Sequence, residues 1–194
     1  MARDYILIVV SYLLGCFNTG YYYSKLFYHQ DVREVGTGVT GAMNVSRVAG
    51  KKGFIITFLG DTLKGILVVL LCRAFHTQDW VLLSCILMVL IGHVFPFQLK
   101  FHGGKGMSTI FGALLAYQPI LILMLFGTCL LLYPLVRRYT VTSLFAILIF
   151  PLELFFADFS LRLVYFSLGY AIIIIYACRS NVKEYIQTKA LEGK

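Results

Sequence analysis

Charged residues are scarce in this sequence and make up only 13% of its 194 residues. A soluble globular domain carries about 25% charged residues, so the composition excludes an ordinary water-exposed surface. Apolar residues make up 59% of the chain, and the mean hydropathy is +0.82. About 20 consecutive apolar residues cross a bilayer as a helix, and backbone groups in lipid must find their partners within the chain. The sequence therefore predicts an all-α integral membrane protein.

Familiar catalytic and metal-binding patterns are also missing. The sequence contains no GxSxG, no HxxxxD, no Walker A spacing and no CxxC pair. Its cysteines lie in or at the ends of apolar runs, where cysteine usually packs as a small hydrophobe: Cys16, Cys72, Cys85, Cys129 and Cys178. We expect no metal and no cofactor. Any enzyme chemistry should then depend on positioning and electrostatics around a reactive substrate.

Seven apolar segments are candidates for membrane helices, at residues 5–24, 54–71, 80–97, 107–117, 119–136, 139–157 and 161–178. The first lacks the basic region and the cleavage site of a secretory signal, so we expect it to stay in the membrane. The fourth has 11 residues and is short for a crossing. Residues 107–136 form either one long span or a hairpin broken at Gln118 and Pro119.

The distribution of basic residues favours the hairpin. With the N-terminus outside, seven spans place 13 of the 17 Lys and Arg residues on the inside, as the positive-inside rule expects. A single long span would move Arg137, Arg138 and the basic tail outside and remove most of this asymmetry. Pro119 also disfavours helical geometry at Gln118. We therefore predict a seven-transmembrane-helix bundle, a single domain over residues 1–194, with its N-terminus outside and its C-terminus cytoplasmic.

Three polar segments then face the cytoplasm, at residues 25–53, 98–106 and 179–194. The net charge of +8 is concentrated beside apolar segments, which indicates a membrane surface and not a nucleic acid as the partner. We expect these segments to form the active face, on the cytoplasmic side of the membrane. Function should be sought in these segments, because the outside loops are short.

The first polar segment contains a glycine-rich stretch. Three glycines within six residues allow positive φ and can present N–H groups to an anion: Gly36, Gly38 and Gly41. Thr37, Thr40 and Asn44 add neutral hydrogen-bond donors, and Arg47 adds a planar fork suited to phosphate. A flexible connector is the alternative, but the polar residues that follow favour a phosphate site.

The second polar segment reads Gly-Gly-Lys-Gly at residues 103–106 and runs directly into an apolar span. Backbone donors, the helix dipole and the ammonium of Lys105 would meet there, as in an anion site. A basic anchor at the headgroup level is the alternative, although it would not need Gly103 and Gly104. His93, at the end of the preceding span, is either a structural residue or part of the same site.

Two charged residues lie within the second predicted span. Asp61 and Lys64 are three residues apart and share one helical face. Charges inside a span are expensive and usually face the bundle interior or a wet cavity. They form either a functional polar pair or an ion pair that only orders the bundle.

The loops resemble those of the bacterial acyl-phosphate:glycerol-3-phosphate acyltransferases of the PlsY type, and the resemblance covers nearly the whole chain. The family's first loop is close to G-S-G-N-x-G-A-T-N-x-x-R, and the matching residues are Gly36, Gly38, Gly41, Ala42, Asn44 and Arg47. Thr37 keeps the hydroxyl of the family's serine, whereas Val39 and Met43 depart from the pattern. The family's second motif, G-H-x-[FY]-P followed by F-x-G-G-K-G, is complete at residues 92–106.

The family's third motif, near Y-x-H-x-x-N-[IL], is degraded in this chain. Tyr176 and Asn181 match, but Cys178 stands where the family has histidine. A neutral thiol cannot replace imidazole as a proton shuttle or as a strong hydrogen-bond donor.

The resemblance implies a seven-helix bundle that transfers a fatty acyl group from acyl-phosphate to the sn-1 hydroxyl of glycerol 3-phosphate. The product is lysophosphatidic acid, the first intermediate of phospholipid synthesis. The implied catalytic residues are Lys105, Arg47, Thr37 and Asn181. The implied phosphate-binding residues are Gly36, Gly38, Gly41, Asn44, Gly103, Gly104, Gly106 and His93. Its partners would be the two substrates, the lipid bilayer and the enzyme that supplies acyl-phosphate.

Two other functions stay open at this point. Val39 and Cys178 would suit a non-catalytic paralogue that binds lipid phosphates or regulates a partner. Asp61 and Lys64, together with glycine-interrupted spans, would suit a small transporter for anionic metabolites. Formation of lysophosphatidic acid by the purified protein would separate the enzyme from both.

Overall fold

The computed structural model describes residues 2–179, and eight α-helices account for most of them. They are α1 (Ala2–Cys16), α2 (Thr19–Tyr28), α3 (Ala42–Ala74), α4 (Asp79–Val94), α5 (Met107–Tyr117), α6 (Pro119–Val136), α7 (Tyr139–Phe156) and α8 (Leu161–Ala177). Two short 3-10 turns, Val32–Glu34 and Phe97–Leu99, lie in the connections.

Within the described residues, five helical segments are long and apolar enough to cross a membrane: Ala2–Tyr28, Ala42–Ala74, Asp79–Leu99, Pro119–Val136 and Tyr139–Phe156. Two shorter apolar helices, Met107–Tyr117 and Leu161–Ala177, accompany them. The break predicted at Gln118 is present, because Gln118 is extended and separates α5 from α6. Pro119 explains it, since proline disfavours helical geometry in the residue before it.

The first apolar segment differs from its prediction as one continuous span. Helix α1 ends at Cys16, and α2 begins at Thr19. Asn18 is extended and buried between them; its amide donates to the carbonyl of Cys16 at 3.1 Å. Its side-chain oxygen accepts from the hydroxyl of Thr40 at 2.5 Å. Side-chain hydrogen bonds therefore stabilise this break, and no nearby proline indicates it in the sequence.

Helix α3 begins 12 residues before the predicted start of the second span. Its first 12 residues, about three turns, belong to the segment predicted as a polar loop. Val45 and Ala49 on these turns pack against Val32, so one face is buried although the other carries charges. Gly50 interrupts the helix with φ 60° and ψ −158°, a conformation open in practice only to glycine. The helix therefore changes direction where it leaves the loop region.

By its contacts the chain divides into two compact units, Met1–Pro119 and Ile120–Lys194. In the first unit α1 packs on α4, and α3 packs on α5. The helices approach closely at glycines: a Cβ on Gly15 would overlap the backbone of Val89, and one on Gly65 would overlap Thr109. Small residues permit such close crossings between membrane helices.

The second unit contains α7 packed on α8 within its described part. Glu153 of α7 accepts a hydrogen bond from the hydroxyl of Thr128 in α6. The organisation of the whole chain as a single domain stays a prediction.

Candidate active site

The first loop, residues 29–41, is organised by the side chain of Asn44. Its amide nitrogen lies 2.8 Å from the carbonyl of Val32 and 2.9 Å from the carbonyls of Val35 and Val39. Its oxygen accepts from the backbone N–H of Thr37 at 3.0 Å. One buried side chain thus hydrogen-bonds to four backbone groups, with its two N–H donors shared among three carbonyls, so this segment has a defined shape and is not a loose connector.

Two of the three predicted glycines in the first loop have conformations that favour glycine. Gly36 and Gly38 have φ values of 56° and 69°. A Cβ on Gly36 would also overlap the side chains of Asn44 and Arg47, so the arginine lies directly over this glycine. Gly41 is different: its φ is −73° and a Cβ would meet nothing within 4 Å. It precedes the first turn of α3 beside open space.

The second loop, residues 95–106, folds back on the end of α4. The N–H of Gly103 donates to the carbonyl of Val94, and the N–H of Gly104 donates to the carbonyl of His93, both at 3.1 Å. These two amides therefore close the C-terminal end of α4. Gly106, with φ 80°, is the residue from which α5 starts. The first amides of α5 have no acceptor within their own helix and remain the donors suited to an anion.

Hydrogen bonds join the two loops. The N–H of Thr40 donates to the carbonyl of Gly103 at 3.2 Å. Arg33 donates to the carbonyl of Leu99 at 3.0 Å, and its guanidinium is held by Asp31 at 2.6 Å. The structure thus brings together two segments that lie some 60 residues apart in the sequence.

The Asp31–Arg33 pair was missed by sequence reasoning. Arg33 lies 5.0 Å from the centre of the Tyr21 ring, in a cation–π contact that also ties α2 to the first loop. The hydrogen bond from Arg33 lowers the pKa of Asp31 below its ordinary value, although burial opposes the shift. A carboxylate two residues from an arginine in a loop was the only signal of this pair in the sequence.

Two predicted substrate-binding groups of the first loop remain available to a ligand. Arg47 is exposed and makes no hydrogen bond or ion pair with another residue in the part of the chain that the structure describes. Thr37 is half-buried, and its hydroxyl likewise has no partner among residues 2–179. Lys105 of the second loop is half-buried. An arginine, a hydroxyl and a lysine on two joined loops form a suitable set for phosphate.

Asp61, Lys64 and His93 form one buried polar group behind the loops. The ammonium of Lys64 lies 3.1 Å from the carboxylate of Asp61 and 2.7 Å from Nδ1 of His93. Each residue is at most 6% exposed. The predicted polar pair is therefore an ion pair extended by the predicted phosphate-binding histidine.

Most of the third polar segment, residues 180–194, lies outside the residues that the structure describes. Asn181 lies outside the described residues, so its predicted role has no structural counterpart here. Cys178 is buried directly after α8. Among residues 2–179 no three His, Cys, Asp or Glu side chains are grouped so that they could hold a metal ion.

The glycerol-3-phosphate acyltransferase family model matches residues 5–188. Glycerol-3-phosphate acyltransferase 1 of Desulfitobacterium hafniense is 40% identical over 185 residues, covering 93% of this chain and 90% of that protein. Glycerol-3-phosphate acyltransferase 1 of Bacillus cereus is 34% identical over 178 residues, covering 92% and 98%.

Two crystal structures of PlsY (YgiH), an integral membrane glycerol 3-phosphate acyltransferase, are also similar. The glycerol 3-phosphate form has a TM-score of 0.87 at 32% identity, and the lysophosphatidic acid form has 0.83 at 30%. Each match covers 96% of this chain and 93% of the crystallised one. The likeness to an integral membrane protein confirms the prediction of an all-helical, multi-pass membrane protein. On these sequence and structural similarities, the chain belongs to the glycerol-3-phosphate acyltransferase family.

Proposed function

We propose that this protein transfers a fatty acyl group from acyl-phosphate to the sn-1 hydroxyl of glycerol 3-phosphate for phospholipid biosynthesis. The products are lysophosphatidic acid and inorganic phosphate. The observation that carries the proposal is the match, at a TM-score of 0.87, to a glycerol 3-phosphate acyltransferase described in its glycerol 3-phosphate form. A second form of the same protein is described with lysophosphatidic acid, the expected product.

The reaction needs no nucleophile from the protein. Acyl-phosphate is a mixed anhydride, so its carbonyl carbon is already activated. The hydroxyl oxygen of glycerol 3-phosphate forms a new bond to this carbon, and the bond from the carbon to the phosphate oxygen breaks. The hydroxyl proton passes to a phosphate oxygen, for which the acceptor's own phosphate is suitably placed. The protein's task is to hold two anions together in the reacting geometry.

The two joined loops supply the groups for this task. Arg47 offers a planar fork, and the hydroxyl of Thr37 offers a donor beside it. Lys105 offsets charge on the phosphate that leaves. Gly36 and Gly38 allow the backbone to turn under Arg47, whereas Asn44 acts as the scaffold of this loop. Asn181 and the first amides of α5 complete the proposed set.

The proposed topology has seven spans, an outside N-terminus and a cytoplasmic C-terminus, in the bacterial cytoplasmic membrane. The basic residues support it, because they cluster on one side in that arrangement. The soluble acceptor and the membrane-borne donor would then meet at the inner interface, beside the enzyme that supplies acyl-phosphate. Fluorescence from green fluorescent protein fused to the C-terminus is expected, and signal only from a periplasmic alkaline phosphatase fusion there would refute the orientation.

The activity is tested with purified protein in liposomes, palmitoyl-phosphate and radiolabelled glycerol 3-phosphate. We expect labelled lysophosphatidic acid and inorganic phosphate in equal amounts. Binding of glycerol 3-phosphate without acylation would instead indicate a non-catalytic protein. Exchange of labelled glycerol 3-phosphate across the liposome membrane without acylation would indicate a transporter.

A further inference from the structure

The break between α1 and α2 leaves helix ends inside an apolar segment, where unpaired backbone groups are costly. Lys64 donates to the carbonyls of Gly15 at 3.1 Å and Phe17 at 2.8 Å, at the end of α1. Asp61 accepts from the N–H and the hydroxyl of Thr19, at the start of α2. One ion pair thus stabilises both ends, with the cation and the anion placed as the helix dipoles favour.

Lys64 also contacts Nδ1 of His93, and the charge on Lys64 limits which tautomer the ring can adopt there. With Asp61 and two carbonyls as neighbours, the surroundings of Lys64 favour an ammonium, which has three N–H donors and no acceptor. An ammonium can only donate at this contact, so Nδ1 of His93, 2.7 Å from Nζ, accepts the hydrogen bond when Lys64 is charged. A neutral imidazole that accepts through Nδ1 carries its proton on Nε2.

Nε2 of His93 faces the second loop. A Cβ built on Gly104 would overlap this nitrogen, so only the missing side chain leaves room for the ring. Nε2 makes no hydrogen bond with any residue between positions 2 and 179, although His93 is only 3% exposed. It is not among the fully enclosed polar atoms that lack a partner, so part of its surface stays open.

We propose that Lys64 is a positioning residue for acyl transfer, which holds His93 in the Nε2–H tautomer so that it donates to a substrate phosphate at residues 103–106. The inference rests on the proposed function, since it assumes that a phosphate binds this loop. It gives the Asp61–Lys64 pair a role beyond ordering the helices. Lys64 acts through His93 and does not itself touch the substrate.

A double-mutant cycle tests the coupling between the two residues. The variant His93→Gln places an amide N–H near the position of Nε2, and an amide has no tautomers. We expect Lys64→Met to lower kcat/KM for glycerol 3-phosphate by about 100-fold, as for a displaced group near the reacting atoms. In the His93→Gln background, Lys64→Met should lower kcat/KM by less than about threefold, because glutamine has no tautomer for Lys64 to select. Equal losses in both backgrounds would overturn the proposal and leave Lys64 as a helix-end cap.

The variant Asp61→Asn, Lys64→Met removes both charges and serves if Lys64→Met alone does not fold, since no buried charge is then left unpaired. It is placed in the same cycle with His93→Gln, and thermal unfolding confirms that each variant is folded. As with Lys64→Met, we expect a loss of about 100-fold in the wild-type background and less than about threefold in the His93→Gln background. Equal losses in both backgrounds would again overturn the proposal.

Nitrogen NMR of the wild-type protein, labelled with 15N-histidine, tests the tautomer directly. His93 is identified by the signals that disappear in His93→Gln. We expect its proton on Nε2, whereas His102, whose Nδ1 lies 2.6 Å from the carbonyl of Lys100, should carry its proton on Nδ1 and serves as an internal contrast. A proton on Nδ1 of His93 would overturn the inference. This measurement needs no turnover, so failure of the acyltransferase assay and failure of the tautomer assignment are distinguishable.

Discussion

The first loop and the second loop both lead into a helix, but different atoms hold them in place. In the first loop a single side chain, Asn44, hydrogen-bonds to backbone groups of four residues of the loop. In the second loop backbone amides close the end of α4, and the ring of His93 packs against Gly104. A glycine-rich segment can therefore be held in place in two ways. A polar side chain can bond to its backbone, or a glycine can let a neighbouring ring pack closely against it. The comparison also separates residues that shape the loops from those proposed to contact a substrate.

The largest effect is expected from removing Arg47, the proposed phosphate-binding group of the first loop. Arg47→Gln should lower kcat/KM for glycerol 3-phosphate about 100- to 1000-fold, the usual loss when a donor to reacting charge is removed. Its thermal midpoint should not change, because Arg47 bonds to no other described residue. Arg3→Gln is the matched control, since this exposed arginine lies at the N-terminal end of α1, whereas the chain continues towards the first loop from the C-terminal end of that helix. If Arg47→Gln lowers the thermal midpoint while Arg3→Gln does not, Arg47 supports the structure of the loop instead.

The next effect comes from the scaffold of the same loop. Asn44→Ala should lower activity about 100-fold, because Arg47 and Thr37 lose their fixed positions. It should also destabilise the protein, by about 1–3 kcal/mol for each backbone group left buried and unpaired. Activity assays and thermal unfolding measure the two effects together. Ser46→Ala, which removes only an exposed hydroxyl bonded to Met43, should change neither; normal activity in Asn44→Ala would refute the scaffold role.

A smaller effect is expected from filling space in the second loop. Gly104→Ala forces the ring of His93 to move, so it should destabilise the protein by about 1–3 kcal/mol. Gly41→Ala is the matched change in the first loop, where a Cβ meets open space. It should alter stability by less than about 0.5 kcal/mol. Thermal unfolding of both variants checks the contrast, and equal losses would contradict it.

The smallest effect concerns the pair that links the loops. Because Arg33 lowers the pKa of Asp31 in the folded state, this carboxylate stabilises the protein above its unfolded pKa, about 3.9. That contribution disappears as the pH falls through the folded pKa. Asp31→Asn should therefore lower stability at neutral pH by no more than about 1 kcal/mol. Thermal unfolding at a series of pH values should show the difference shrinking below pH 4, and a difference that grows there would contradict the pair.

The position of most apolar helices could be predicted from the sequence, because a membrane helix needs a long apolar run and such a run consists of neighbouring residues. The break before α6 was also predictable, since Pro119 acts on its immediate neighbour. The break at Asn18 was not, because its partners include Thr40, 22 residues away. The early start of α3 was not predicted, because the charged residues on the exposed face of its first turns are typical of a polar loop.

For the candidate site, the sequence by itself determined which chemical groups are present: glycines that permit positive φ, an arginine, a lysine and a threonine in two loops. Only the tertiary structure decided what each group contacts. It directed Asn44 into the loop backbone, left Arg47 exposed, and placed Lys64 against His93, 29 residues later. Local backbone preferences are a property of neighbouring residues, whereas these contacts depend on how helices distant in the sequence pack together.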